Sequence, residues 1–146
     1  MDRRTIRPLV IGVFRHAGRI LVAAIGDPDN GVRCYRPLGG EIEFGEHSRD
    51  ALIREMREEI SAEITALRLL GTLENRFVFD GQRHHEIVLV YDAAFVDRAL
   101  YTRPLIEGHN GNVAIRAEWK PLDEFIPGHP PLVPDGLLDL LRAQVE

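Results

Sequence analysis

Residues 39–62, GGEIEFGEHSRDALIREMREEISA, join a glycine-led loop to a strongly periodic segment. Apolar residues at helical spacing form the predicted buried stripe of a helix: Leu52, Ile53, Met56 and Ile60. Ser48 stands just before this run and is the predicted N-cap, because a serine hydroxyl accepts hydrogen bonds from the first unpaired backbone N–H groups. The stretch therefore predicts a loop followed by an amphipathic helix.

Three carboxylates occupy a second arc of the same helix. Glu55, Glu58 and Glu59 are three and four residues apart, so a helix brings them onto one narrow arc. There they repel one another, and the negative end of the helix dipole is also unfavourable to them. A bound cation removes both penalties, and oxygen ligands on a rigid element suit Mg²⁺ or Mn²⁺. The pattern predicts a divalent metal site.

A longer pattern surrounds these carboxylates. Gly40 is followed after five residues by Glu46, and after seven more by the run REMREE that begins at Arg54. The alternative to a metal site is a solvated helix face with arginines screening the acids. That alternative accounts for REMREE alone, but not for the glycine and the glutamate at their offsets.

This pattern resembles the Nudix box of the Nudix hydrolases. The box usually ends in a glycine and an aliphatic residue, where this chain has Ser61 and Ala62, and Leu38 separates Pro37 from the paired glycines. A glycine after a helix normally forms a left-handed cap, so Ser61 must adopt a costlier conformation or end the helix differently. No residue that matches a family metal ligand is lost.

The resemblance implies both a fold and a reaction. The fold is an α/β/α sandwich with a mixed β-sheet, in which the box forms a loop-helix-loop metal site. The reaction is Mg²⁺- or Mn²⁺-dependent hydrolysis of a pyrophosphate bond in a nucleoside di- or triphosphate derivative. Its products are a nucleoside monophosphate and a second phosphate-bearing compound. The implied partner is therefore a small-molecule nucleotide.

The resemblance also implies site residues. The implied metal ligands are three glutamates and one backbone carbonyl, those of Glu55, Glu58, Glu59 and Gly40. Glu46 and Arg54 match an acid–base pair that braces the loop against the helix.

The general base has three candidates. Members of the family take it from the box, where Glu59 is the match, or from a carboxylate on a later loop or strand. Glu107 is the favoured later candidate and Glu86 the other, with a solvated surface acid as the alternative for each. Adjacent residues on a strand face opposite sides, so His84 and His85 are expected to pack on a hairpin or face solvent rather than share a site.

The rest of the chain is predicted to form mainly strands. Predicted strands cover residues 8–15, 19–25, 34–37, 64–70, 72–79, 85–95 and 113–119. Helical segments are predicted at 122–126 and 136–144, and turns at 26–31 and 80–81. Residues 97–112 lack periodicity and predict a long loop, in which Gly108 and Gly111 leave room for Glu107 to close over phosphates.

Other residues that could contact a nucleotide have ordinary alternatives. Aromatic rings available for stacking on a base are those of Phe44, Phe77, Phe79 and Tyr91. Cations available for gripping phosphates are Arg33, Arg36 and Arg76. Core packing explains most aromatic residues on strands, and surface solvation explains most arginines, so neither set is assigned a role.

Composition bounds the class of protein. The chain has 146 residues, 45% of them hydrophobic, which predicts a single domain over residues 1–146. A formal charge of −5 argues against stable nucleic-acid binding and against anionic membranes. Cys34 is the lone cysteine, which excludes an internal disulfide and favours the cytoplasm. The N-terminal apolar run is too short for a signal peptide or membrane span.

Two rival functions differ in class from a hydrolase. One is a non-catalytic Nudix domain that binds a nucleotide or a protein and regulates another process, which loss of box glutamates would favour. The other is an acidic scaffold protein whose helix is charged for solubility. The family's coenzyme A motif and its usual ADP-ribose and dinucleoside markers are absent at their expected offsets, which favours nucleoside triphosphates or a broad nucleotide range. A homodimer is left open.

Overall fold

The computed structural model describes residues 5–27 and 29–144. Pro28, in the predicted turn at 26–31, lies outside them, as do the two chain ends. The strands are β1 (Ile6–Val13), β2 (Arg15–His16), β3 (Arg19–Asp27), β4 (Gly31–Arg36), β5 (Gly39–Glu41), β6 (Ile64–Phe79), β7 (Gln82–Phe95), β8 (Leu105–Asn110) and β9 (Val113–Pro121). The helices are α1 (Ser48–Ile60) and α2 (Leu137–Ala143), with short 3-10 helices at Arg98–Thr102 and Leu122–Glu124.

The strands form two sheets. The first is mixed and has the order β5-β1-β7-β6, in which β1 and β7 run parallel and the other pairs are antiparallel. The second has the order β2-β3-β9-β8 with β4 also paired to β3, and all of its pairs are antiparallel.

Alternation along β1 separates two hydrophobic cores. Val10 belongs to a cluster that includes Leu52 and Met56 of α1. Its neighbours Leu9 and Ile11 belong to a second cluster on the α2 side. Successive side chains on a strand point to opposite faces, so each helix covers its own face of the strands. The fold is thus the mixed α/β arrangement with helices on both faces that the sequence predicts.

Helix α1 begins one residue away from the predicted cap. The N-cap is His47, whose Nδ1 accepts a hydrogen bond from the Arg49 backbone N–H at 3.1 Å. Ser48, the predicted cap, is the first helical residue instead, and its hydroxyl lies 2.7 Å from the hydroxyl of Tyr91. The prediction of Ser48 was wrong because this tertiary contact engages the hydroxyl that would have capped the helix.

The C-terminal end of α1 shows how Ser61 takes the place of the usual glycine of the box. Ser61 adopts a left-handed conformation with φ 55° and ψ 37°. Its N–H donates to the Arg57 carbonyl, and the Ala62 N–H donates to the Met56 carbonyl. This is the hydrogen bonding of a glycine cap, so the serine takes the costlier of the two predicted options.

Two predicted elements differ from the structure. The strands predicted at 64–70 and 72–79 form the one strand β6, which absorbs the irregularity through two register shifts against β7. The loop predicted at 97–112 is wrong, because it contains a 3-10 helix and strand β8. Within β8 Ile106 alone is fully buried, so no apolar periodicity marks this strand in the sequence. Pairing with β9 and packing against α1 hold it in place.

The other predicted strands and helices lie within a few residues of their predicted bounds, but β4 begins at Gly31, inside the predicted turn at 26–31, and β5 occupies the start of the predicted loop. The turn at Asp80 and Gly81 joins β6 to β7, and both residues have positive φ, 52° and 78°. Such a two-residue turn matches the twist of a β-hairpin. None of the helices in the described part of the chain is long and apolar enough to cross a membrane.

Candidate active site

Glu46 and Arg54 form a bidentate ion pair between the loop and α1. Arg54 Nε donates to Glu46 Oε2 at 2.7 Å, and Arg54 Nη2 donates to Glu46 Oε1 at 2.9 Å. The hydrogen bonds from Arg54 are the main reason that the pKa of Glu46 is lowered to about 2. Arg54 Nη2 also donates to the Glu41 carbonyl at 3.0 Å, so one guanidinium holds two points of the loop.

The same guanidinium reaches two of the helix carboxylates. Arg54 Nη1 lies 2.9 Å from Glu55 Oε2 and 3.2 Å from Glu58 Oε1. The loop backbone approaches Glu55 from the other side, because a Cβ on Gly40 would lie 2.4 Å from the Glu55 carboxyl carbon. A side chain at position 40 would therefore displace the Glu55 carboxylate from its present position beside the loop.

Glu59 is the buried member of the carboxylate group. Its side chain is on the same helix arc as the others, but the residue is only 5% exposed. Burial, then hydrogen bonding to Glu55 and the negative charges of Glu55 and Glu58, raise the pKa of Glu59 to about 8. The positive charge of Arg36 opposes this shift. Without a cation, the cluster accordingly retains a proton near neutral pH.

The oxygen ligands of this cluster suit a hard cation, although their present arrangement does not bring them together around one point. Among residues 5–27 and 29–144, no three His, Cys, Asp or Glu side chains converge closely enough to hold an ion as they stand. Arg54 neutralises Glu55 and Glu58 instead. The chemistry of the donors nevertheless fits, because carboxylate and carbonyl oxygens are the ligands of Mg²⁺ and Mn²⁺. The residues that could hold the ion are Gly40, Glu55, Glu58 and Glu59.

Glu107 lies beside this cluster, on β8 rather than on a loop. It lines a cavity of about 470 Å³ together with Glu58 and Glu59. Its side chain is 70% exposed, and its carboxylate is 4.0 Å from Arg116. Gly108 is not a hinge, because a Cβ there would lie 1.8 Å from the Glu59 carbonyl oxygen. The glycine instead lets β8 pack directly against the last turn of α1.

Glu86 lies elsewhere, on the α2 side of β7. It is 5% exposed, with Arg7 Nη1 3.4 Å from Oε2 and Asn75 Nδ2 3.4 Å from Oε1. These three residues line a second cavity of about 440 Å³. The structure thus groups Glu59 and Glu107 in one cavity and separates Glu86 from them.

The histidines and arginines considered in the sequence analysis make different contacts in the structure. As expected for neighbours on a strand, the two histidines contact different partners. His84 stacks on Phe77 with centroids 4.8 Å apart, and His85 is 2.7 Å from the Glu74 carboxylate. Arg36 lines the cavity of Glu86 and is near enough to Glu59 to lower its pKa, so it stands between the two.

Arg33 and Arg76 have less central positions. Arg33 lies over the Phe79 ring at 4.7 Å and pairs with Asp80 at 3.3 Å, at the edge of the Glu86 cavity. Arg76 is exposed and borders a separate depression.

Sequence reasoning missed the polar floor of the Glu86 cavity. Arg7 and Asn75 were not singled out, and Glu86 was considered only as a base. The sequence gives a signal only at Arg7, a charged residue among the apolar residues of β1, because Asn75 lies between Glu74 and Arg76 and Glu86 follows two histidines. Pairing of β1 and β6 on either side of β7 brings them together, with Arg7 and Asn75 both opposite Glu86 in register.

Comparison with known proteins gives one family and several structural relatives. Residues 3–140 match the model of the NUDIX domain. The crystal structure of a MutT NUDIX hydrolase from Burkholderia pseudomallei is 22% identical, with TM-score 0.69 over 97% of this chain and 100% of that one.

Two further solved structures are similar to this chain in fold. A NUDIX hydrolase from Nitrosomonas europaea is 16% identical, with TM-score 0.68 over 94% and 87% of the two chains. A NUDIX-family hydrolase from Clostridium perfringens is 16% identical, with TM-score 0.60 over 97% and 99%. At these identities the likeness concerns the fold. A search of curated protein sequences finds no match.

Proposed function

Because this chain belongs to the Nudix family of pyrophosphohydrolases, we propose that it hydrolyses a pyrophosphate bond in a nucleoside di- or triphosphate derivative. The proposed cofactor is Mg²⁺ or Mn²⁺, and the proposed products are a nucleoside monophosphate and a phosphate-bearing compound. The observation that carries the proposal is the cluster of Glu55, Glu58 and Glu59 against the Gly40 backbone. No box glutamate is missing, so nothing favours the non-catalytic alternative.

The chemical difficulty lies in the charge of the substrate. A pyrophosphate group carries several negative charges, which repel an attacking hydroxide, and further negative charge develops on the oxygen of the departing phosphate. When bound, a divalent ion neutralises phosphate oxygens and lowers the pKa of a bound water. The box residues would hold the ion, and the Glu46–Arg54 pair would keep the loop at a fixed distance from the helix. The positive charge of Arg36, which acts on Glu59, supports a role for it in binding phosphate oxygens beside the cluster.

A general base must accept a proton from the attacking water. We propose Glu107 for this role, with Glu59 as the alternative within the box. Glu107 shares a cavity with Glu58 and Glu59 and is open to solvent, which supports its access to a water molecule. Glu59 is buried and its raised pKa keeps it protonated near neutral pH in the ion-free protein, so it would need to lose that proton before it could act as the base.

A substrate panel tests the proposed reaction. Nucleoside triphosphates and nucleoside diphosphate derivatives are incubated with Mg²⁺ or Mn²⁺, and released phosphate, pyrophosphate and nucleoside monophosphate are measured. Glu58→Gln is expected to abolish release. The matched control is Glu63→Gln, because Glu63 is an exposed glutamate close by that pairs only with Arg57 among the contacts described. Nucleotide binding without turnover of any compound would support the regulatory alternative instead.

A further inference from the structure

The cavity around Glu86 has the size and lining of a small-molecule site. Its volume of about 440 Å³ falls within the range of ligand pockets, roughly 300–1,000 Å³. Its walls are largely apolar, with the Phe77 and Phe79 rings among them. Polar groups line it as well, among them Arg33, Arg36, His84 and Asp135. The buried ones are Glu86, 5% exposed, and Asn75, 9% exposed, and Arg7 contacts Glu86. Polar groups at fixed positions in an apolar cavity determine the orientation of a ligand.

The hydrogen bonding of Glu86 by residues 5–27 and 29–144 is incomplete. Within this part of the chain, each of its two oxygens has one contact at 3.4 Å, from Arg7 on one side and Asn75 on the other. Both contacts are long, and Arg7 makes its shorter contact, 2.9 Å, with Glu41. An ionised carboxylate can accept about four hydrogen bonds. A buried carboxylate beside a cavity that can accept further hydrogen bonds is suited to bind a ligand through the ligand's N–H groups.

Arg36 and Glu41 relate the cavity to the carboxylate cluster of α1. Arg36 lines the cavity, and its charge acts on Glu59. A second connection runs through Glu41, whose carboxylate binds Arg7 and whose carbonyl binds Arg54. A nucleotide with its base near Glu86 would reach the proposed metal ligands with its phosphates by passing Arg36.

Resting on the proposed function, we propose that Glu86 selects guanine nucleotides by accepting hydrogen bonds from the ring N1–H and the 2-amino group. Guanine alone among the common bases presents two adjacent N–H donors on its pairing edge. Adenine and cytosine each place a ring acceptor beside their amino group, and that acceptor would face the carboxylate. Uracil has one N–H between two carbonyls. Arg7 and Asn75 supply donors beside Glu86 that suit the 6-oxo group of guanine.

The first test compares bases on the unmodified enzyme. The kcat/KM values are measured for GTP, ITP, ATP, CTP and UTP with saturating Mg²⁺. ITP keeps the N1–H and the 6-oxo group but lacks the 2-amino group, so it isolates one of the two proposed hydrogen bonds. We expect GTP to exceed ITP by on the order of tenfold or more, and the other bases by a larger factor. Equal values for GTP and ITP, or preference for another base, would overturn the assignment.

The second test uses variants with a matched control. Glu86→Gln keeps the shape of the side chain and removes one acceptor, so most of the preference for GTP over ITP should be lost. Glu74→Gln changes an exposed glutamate on the neighbouring strand that contacts His85 outside the cavity, and the preference should be retained. Thermal melting of both variants checks the fold. A preference unchanged in folded Glu86→Gln contradicts the role of Glu86.

Binding separates this inference from the proposed reaction. Calorimetric titration of GMP and IMP without metal reports on the cavity and needs no turnover. Tighter binding of GMP with no hydrolysis of any triphosphate would refute the reaction and leave the selectivity standing. Hydrolysis of all triphosphates at similar rates, with GMP and IMP bound equally, would refute the selectivity and leave the reaction standing. Failure to bind either monophosphate and to hydrolyse any triphosphate would refute both.

Discussion

Gly108→Ala should damage the candidate site without touching any of its carboxylates. A Cβ at position 108 would lie 1.8 Å from the Glu59 carbonyl oxygen, whereas ordinary contact begins at 3.4 Å. The obstacle is backbone, so β8 and the end of α1 must separate by about 1.6 Å. Overpacking of this kind costs about 1–3 kcal/mol, which lowers the Tm by ~3–12 °C for a domain of this size. Misplacement by about 1 Å costs on the order of 10²-fold in rate, so kcat should fall by about 10²-fold.

The control for this substitution is Gly71→Ala. A Cβ at position 71 would meet only the far end of the Leu140 side chain, at 3.3 Å, which a small rotation relieves. Both Tm and kcat should stay near those of the unmodified protein. The assay is steady-state hydrolysis of the best substrate at saturating Mg²⁺, with Tm measured by calorimetry. If Gly108→Ala kept kcat within about threefold, contact with β8 would not set the position of Glu59, and the reasoning would be wrong.

Four further predictions concern the carboxylate cluster and its brace. Glu58→Gln should lower kcat/KM by about 10³-fold or more with little change in Tm, measured by kinetics and melting. The double change Glu46→Ala with Arg54→Ala should cost less activation free energy, measured through kcat/KM, than the two single changes added together. Additive losses would show that the pair is uncoupled. Glu107→Gln should lower kcat while divalent-ion affinity stays near normal, and kcat should recover in part at higher pH. If Glu107→Gln kept full kcat while Glu59→Gln lost kcat with its ion affinity intact, the general base would lie in α1. Ion binding should release more protons at pH 7 than at pH 9, because the pKa of Glu59 is raised to about 8, and calorimetry in two buffers of different ionisation enthalpy counts the protons.

The sign of the Glu59 effect on stability follows from its raised pKa. The folded, ion-free protein holds a proton that the unfolded chain gives up above a pH of about 4.3. Its free energy of unfolding should therefore fall as the pH rises from there to about 8, and level off above. A divalent ion replaces the proton as the source of positive charge. Added Mg²⁺ should consequently stabilise the protein more at pH 8 than at pH 6.

The sequence was most informative where function and local geometry coincide. The offsets of Gly40, Glu46 and Arg54 identified the family. In the structure Arg54 binds Glu46, and Gly40 lies beside the Glu55 carboxylate. The turn at Asp80 and Gly81 was equally clear, because both of its residues need positive φ. In each case a few neighbouring residues determine the geometry, and no distant part of the chain has to be known.

Features that depend on distant contacts could not be predicted. Strand β8 shows no periodicity, since its stability comes from pairing with β9 and from the close approach of Gly108 to α1. The N-cap was misassigned because Tyr91, 43 residues away from Ser48, engages its hydroxyl. Glu86 is charged and would ordinarily be assigned to the surface. Its burial follows from the parallel pairing of β1 with β7, which places Arg7 beside it.

Ser61 shows why a departure from the box need not disturb the chemistry. A left-handed conformation costs a residue other than glycine roughly 1–2 kcal/mol, and Ser61 pays this cost at φ 55°. In return, the backbone hydrogen bonds to Arg57 and Met56 are those of an ordinary left-handed cap. The path of α1 up to Glu59 is therefore unchanged by the substitution, and its penalty is confined to stability. Gly108 differs in this respect, because its neighbour is the Glu59 carbonyl itself and a side chain there would displace the helix end that carries the site.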